Sequence, residues 1–142
     1  MQTTFMIETR GPGLYEFTEN VRRWLSGKGD GLMTLFVRHT SCSLLVQENA
    51  DPDVQVDLEA WLRRLIPHAD DPAQAYLTHV TEGPDDMPAH LKAAILPVSL
   101  SIPVVGGVAR LGRWQGIYLF EHRDHAHRRE IAALFQHTAQ ES

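Results

Sequence analysis

Cysteine is nearly absent from this chain: Cys42 is the single thiol in 142 residues. That excludes an intramolecular disulfide and with it the small cross-linked secreted scaffold. Long hydrophobic runs are missing as well. No apolar stretch approaches the roughly 20 residues that cross a bilayer, so no membrane partner is expected. Residues Met1 to Ile7 lack the basic start and apolar core of a signal peptide, which makes the cytoplasm the expected compartment. Positive charge is in deficit, with 13 Lys and Arg against 18 Asp and Glu and a net charge of −5. Bulk attraction to nucleic acid is therefore not expected. Arg123, Arg128 and Arg129 form the best local basic patch, and read more simply as a solvated strand face or an anion contact. With 43% hydrophobic residues, the composition is that of one globular domain, residues 1–142, burying roughly 70% of its unfolded surface.

What is present in quantity is periodicity. Phe5 and Ile7 alternate as in a half-buried strand, and Gly11-Pro12-Gly13 ends it. Val21, Trp24 and Leu25 recur at helical spacing, with Thr18 as the expected cap and Gly27 and Gly29 closing the segment. Leu32 to Val37 and Ser43 to Val46 read as strands. Asp51-Pro52 starts a helix whose stripe is Val54, Leu58, Trp61, Leu62 and Leu65, and Pro67 stops it. Asp86, with Pro88 just inside, opens a shorter helix ending before Pro97. Val98, Leu100 and Ile102 then alternate with serines up to a Gly106-Gly107 turn, and Trp114 to Phe120 reads as another strand. Arg128 to Phe135 is ambiguous, since Ala132-Ala133-Leu134 favours helix while the segment can also complete a sheet. The sum is an α+β domain, mainly an antiparallel, β-sandwich-like sheet with two or three helices.

Histidine is also plentiful, with eight in the chain. His79 to Lys92 gathers two imidazoles, three carboxylates and an amine, and His39-Thr40-Ser41-Cys42-Ser43 with Gln47 to Asp53 forms a second polar run. His39, His79 and His90 are candidate metal ligands, with Glu82 or Asp86 completing the set, although the spacing matches no local zinc motif. Thr40, Ser41 and Ser43 with Lys92 are candidate phosphate contacts. The prolines after Asp51 and Asp86 make helix capping sufficient to explain both acids. Cys42 is read as a small buried residue rather than a nucleophile, because alternation along a strand turns it away from His39 and Ser41. Trp114 and Gln115 suit a planar ligand, though core packing is the commoner role for such a Trp. Glu121, an acid after an apolar run, is a candidate pocket residue.

These segments together resemble the YjbQ-like family, labelled secondary thiamine-phosphate synthase. The matching runs are His39 to Ser43, Glu48 to Val54, Glu82-Gly83, Asp85 to Lys92 and Gly112 to Tyr118, in the family's order, with the likeness running from about Phe5 to Phe135. The resemblance implies a β-sandwich-like fold, a homotrimer with clefts between subunits, and a weak activity joining a pyrimidine methyl diphosphate to a thiazole phosphate. The chain departs from the family at Arg113, where Thr is usual, and in the His-rich loop Glu121 to His127, read here as a polar hairpin.

On that reading the substrate is a small phosphorylated molecule. Ser41, Ser43 and Lys92 contact phosphate, and His39 and His90 act as donors to the leaving group. Glu48, Asn49 and Asp86 position substrate or a divalent ion, and Trp114 and Gln115 contact the ring. Magnesium suits diphosphate departure. The alternative is a metal-dependent hydrolase, or a metal- or metabolite-binding protein without turnover, with His39, His79 and His90 around an ion such as zinc.

Overall fold

Period-two alternation turns most of this chain into strand, and proline and glycine set where the strands stop. The computed structural model describes residues 1–138. In chain order the elements are β1 (Gln2–Glu8), β2 (Gly13–Glu16), α1 (Thr18–Leu25), β3 (Gly31–Val37), β4 (Cys42–Glu48), α2 (Pro52–Leu65), α3 (Asp86–Ile95), β5 (Ser99–Val105), β6 (Val108–Ala109), β7 (Gln115–Glu121) and β8 (Arg128–His137). They form two antiparallel sheets, one ordered β1-β8-β3-β5-β6 and the other β2-β7-β4. The α+β architecture expected from the sequence is the one observed.

The core lies between the sheets. Met33, Leu35 and Val37 of β3 and Ile131, Ala133 and Phe135 of β8 face Leu44, Ile117 and Leu119 of the smaller sheet, and Val21 and Leu25 of α1 close one side. β7 is buried on both faces from Gly116 to Glu121. Its second face lies under α2, where Gln55 donates to the Tyr118 hydroxyl at 3.1 Å. That double burial explains why the segment reads as a continuous apolar run instead of an alternating one.

Local chemistry works largely as the sequence suggests, with three differences and one ambiguity settled. Asp51 caps α2 by accepting the Asp53 amide at 2.9 Å, and Gly106 and Gly107 both take positive φ (58° and 74°), as a tight hairpin turn between β5 and β6 demands. Thr18, however, does not cap α1. It is that helix's first residue, and its hydroxyl donates to Glu16 at 2.7 Å and accepts the Ile117 amide at 2.9 Å, tying the helix to β7. The ambiguous tail is strand β8, lying between β1 and β3, where pairing on both edges overrides the helical preference of its alanines. The stripe on α2 is only partly used: Leu62 is buried, while Trp61 and Leu65 are 56% and 53% exposed. Finally, residues 122–127 are no hairpin, because they carry the chain from β7 in the smaller sheet to β8 in the larger. Among the described residues no helix is long and apolar enough to cross a membrane.

Candidate active site

The start of α3 is anchored by charge. Asp85 and Asp86 are 3% and 2% exposed, and two buried carboxylates require a cation. Arg123, from the loop that crosses between sheets, supplies it. Its Nε donates to Asp85 at 2.8 Å, one terminal nitrogen donates to Asp86 Oδ1 at 2.7 Å, and the other reaches the Glu82 carbonyl at 3.3 Å. The Asp124 amide donates a further bond to Asp85 at 2.9 Å. Burial by itself would raise both carboxyls, but for Asp85 the Asp124 amide and Arg123 outweigh it, and for Asp86 the His79 bond and the Arg123 charge do. Both stay below the ordinary carboxylate range. Asp86 is thus no cap: it is the first residue of α3, Asp85 precedes it without a side-chain capping bond, and its carboxylate is spent sideways.

The second oxygen of Asp86 faces two imidazoles. Oδ2 lies 2.6 Å from His79 Nε2 and 3.4 Å from His90 Nε2. His90 is four residues along the same helix, so a single face of α3 presents both groups. The bond to Asp86 raises the His79 pKa above the usual imidazole value, with Glu82 Oε2 adding to it from 3.4 Å. On the far side of the other ring, His90 Nδ1 donates to the Thr40 carbonyl at 3.0 Å, which leaves Nε2 as the lone-pair nitrogen. One ligand atom from each of His79, Asp86 and His90 falls within 4.8 Å of the others. Two imidazoles and one carboxylate, with the carboxylate's second oxygen fixed by Arg123 and one imidazole's tautomer fixed by a backbone carbonyl, suit a zinc-class divalent ion with positions left for substrate.

His39 stands nearby but is differently employed. Its Nε2 accepts the Glu130 amide at 2.8 Å, so that nitrogen is committed. Burial, with the Arg129 charge next, lowers its pKa. His39 and His90 line one cleft together with Thr40. Ser41 is held by Arg129, which donates to its hydroxyl at 2.9 Å and its carbonyl at 3.3 Å. Arg129 also pairs with Glu121, Nε to Oε1 at 2.8 Å, and Thr9 and the amides of His122 and Arg123 fill the rest of that carboxylate. Glu121 is accordingly an internal brace of the sandwich. The fully buried Ser43 hydroxyl is 2.9 Å from His122 Nε2. His122 is 2% exposed, and burial, reinforced by Lys92, pushes its pKa down to about 3. Lys92 itself is lowered by burial and sits among Leu62, His68, Phe120 and Asp124. Cys42 is fully buried and its thiol is pushed up to about 12 by burial, as an inert core residue would be.

The remaining sequence candidates lie elsewhere. In the β4–β7 pairing Cys42 is opposite Glu121 and Glu48 is opposite Gln115, so the six-residue rise puts Glu48 roughly 20 Å from the Cys42 end. Asn49 donates to Glu16 at 3.3 Å, the Gln115 side chain folds back to accept the Gly112 amide at 2.7 Å, and Arg113 stacks on the Trp114 ring at 4.7 Å. Trp114 is 53% exposed rather than core. One chain therefore brings together His79, Asp86 and His90, with His39 and Ser41 close by, and holds Glu48, Asn49, Trp114 and Gln115 at the opposite pole. Asp85 and Arg123 complete the first group, and sequence reasoning misses both as site residues. The signal for them is the acidic doublet itself, which at a helix start inside the fold must find a cation.

An antiparallel β-sandwich carrying a compact histidine–aspartate centre, built from the first two turns of a helix and the loop before it, defines the class of protein. A family model described as UPF0047 protein YjbQ-like matches residues 3–138, and the chain belongs to that family. The UPF0047 protein sll1880 of Synechocystis sp. is 46% identical over 132 residues, covering 92% of this chain and 87% of that protein. The UPF0047 protein YjbQ of Salmonella typhimurium is 40% identical over 138 residues, covering 95% and 96%. Among solved structures, a conserved hypothetical protein of Thermus thermophilus superposes with a TM-score of 0.82 at 36% identity, covering 94% of this chain and 99% of that one. A hypothetical protein of Aeropyrum pernix gives 0.83 at 28% identity, covering 97% and 99%.

Proposed function

We propose that this protein is a metal-dependent enzyme acting on a small phosphorylated substrate, with His79, Asp86 and His90 holding one zinc-class ion. The observation that carries this reading is the shared Asp86 oxygen, 2.6 Å and 3.4 Å from the two Nε2 atoms, with Arg123 fixing the other oxygen at 2.7 Å. The ion would supply Lewis acidity towards a substrate oxygen. The chain's own residues do the rest. His90 is oriented by Thr40 and Asp86 by Arg123. Glu82, beside His79, is placed to hold or pass a proton at the site's edge. With water as the attacking group this is a hydrolase.

The transfer of a pyrimidine methyl diphosphate to a thiazole phosphate is the second reading, supported by the amine that Lys92 carries on α3. The donor set weighs against it, since departing diphosphate is usually served by magnesium, which prefers carboxylates and water to imidazoles. Self-association into a homotrimer belongs to the same proposal. It is supported by the open face of the larger sheet, where Met6 and Leu32 leave apolar side chains exposed. Untagged protein should bind about one equivalent of zinc by calorimetry, hydrolyse a phosphorylated probe such as p-nitrophenyl phosphate, and lose both on His90→Ala. Unchanged zinc binding in that variant overturns the metal reading. Thiamine phosphate formation by the chelator-treated protein overturns the preference for hydrolysis.

A further inference from the structure

The imidazole of His90 serves two spaces. One nitrogen faces Asp86, and the ring also forms a wall of a separate cleft of about 340 Å³ lined by Phe36, Val37, His39, Ala93, Ala94 and Val98 along with Thr40. None of those side chains carries a fixed charge. Phe36 is 51% exposed, which leaves its ring available as a floor. The only polar ring nitrogen in the cleft not already accounted for belongs to His39, and its protonation follows from geometry. The Glu130 backbone N–H can only donate, and it points at His39 Nε2 from 2.8 Å. Nε2 must therefore carry the lone pair, so the neutral ring bears its hydrogen on Nδ1. Among the described residues that N–H has no protein acceptor.

We infer that this cleft binds the non-phosphorylated part of the substrate, a neutral and largely apolar group bearing one hydrogen-bond acceptor that takes the His39 Nδ1–H. The assignment rests on the reading of His79, Asp86 and His90 as the reacting centre, and it deepens that reading by giving the substrate a second end. Apolar walls recover burial free energy from a flat or branched carbon group. A charged group is rejected there because no counter-charge lines the cleft. A single unsatisfied donor selects a carbonyl oxygen or aza nitrogen over the corresponding hydrocarbon. His90, common to both spaces, sets the distance between the acceptor-bearing group and the reacting oxygen.

The test uses two probes on chelator-treated, ¹⁵N-labelled protein. N-methyl-2-pyridone offers a carbonyl acceptor and no donor, and toluene is a ring of comparable size with neither. Both should shift the amides of Ala93, Ala94 and Val98 in titrations followed by NMR. In His39→Phe the ratio of pyridone to toluene affinity should fall on the order of fivefold, the worth of one net hydrogen bond. Ala94→Phe, at an exposed helix position, should abolish the shifts from both probes without disturbing the fold. His79→Ala should remove zinc binding and leave probe binding unchanged, so failure of the metal reading and failure of the cleft assignment give different results. Shifts that fall outside the cleft, a ratio unaltered in His39→Phe, or binding that survives Ala94→Phe would each overturn the inference.

Discussion

At the Cys42–Glu121 end of the β4–β7 ribbon, buried carboxylates are saturated with partners: Glu121 by Arg129 and Thr9, Asp85 and Asp86 by Arg123. At the Glu48–Gln115 end, Glu48 Oε2 is buried with no hydrogen-bond partner among the described residues, Asn49 is exposed, and Trp114 projects with Arg113 against its ring. The same residue types thus stand in opposite situations at the two poles of one strand pair. The difference shows what a strand does to a linear motif. His39 to Glu48 looks like one polar cluster in sequence, yet an extended backbone carries its two halves to opposite ends, while α3 folds Asp86 and His90 onto one face.

The comparison breaks most visibly if the cation at the saturated pole is removed. Arg123→Ala should cost about 3 kcal/mol in urea denaturation, because it leaves two buried carboxylates without their guanidinium partner. Asp85→Asn with Asp86→Asn in the same background should recover part of that loss. A cost below about 1 kcal/mol, the usual range for a surface change, would show that Arg123 merely decorates the loop.

The second expected effect separates the poles by chemistry. His90→Ala should weaken zinc binding on the order of 100-fold or more, since it deletes a ligand, while Glu48→Ala at the other pole should leave the affinity unchanged within error. Equal losses in the two variants would mean that the poles cooperate, as they would if a neighbouring copy brought Glu48 to the histidines.

How much of this is legible in the sequence follows from what each residue does locally. The start of α2 is readable because Asp51 and Pro52 act on amides within their own turn, and the strands because alternation is a local signal. The convergence of His79 and His90 is only half legible. Four-residue spacing on a helix joins Asp86 to His90, but the approach of His79 depends on the loop path through the turn at Gly83, whose φ of 106° no spacing rule supplies. Arg123 reads as part of a basic strand face because its partners lie 37 and 38 residues away, beyond any periodic pattern. Asp86 reads as a cap because Pro88 follows it, and that proline would follow whether or not the carboxylate turned sideways.

Acid should distinguish the poles next, and the sign can be worked out from His122. Its folded pKa lies near 3, below the ordinary unfolded value of 6.5, so the unfolded chain binds a proton that the native one refuses. The stability tied to the neutral ring is fully present above 6.5 and drains away as the pH falls towards 3. Between pH 7.5 and 5.5 the expected loss is about 1 kcal/mol, before Asp85 or Glu121 begins to protonate. His122→Phe should flatten the stability profile over that interval. A profile that keeps its slope in this variant would trace the effect to some other histidine.

The smallest effect is expected at the unsaturated pole, and it is informative for that reason. Trp114 is 53% exposed, with Arg113 at 4.7 Å over its ring. In an isolated chain, Trp114→Ala should cost less than about 1 kcal/mol, since an exposed cation–π contact is worth roughly that and little packing is lost. Ordinary surface residues behave so at any concentration. If Trp114 and Glu48 instead meet another copy, the loss in Trp114→Ala should grow with protein concentration, because an interface residue stabilises through association. Thermal denaturation across a hundredfold dilution series separates the two cases. A concentration-independent difference leaves this pole as plain surface, and a rising one makes it the place where copies join, opposite the end where a single chain assembles its histidines alone.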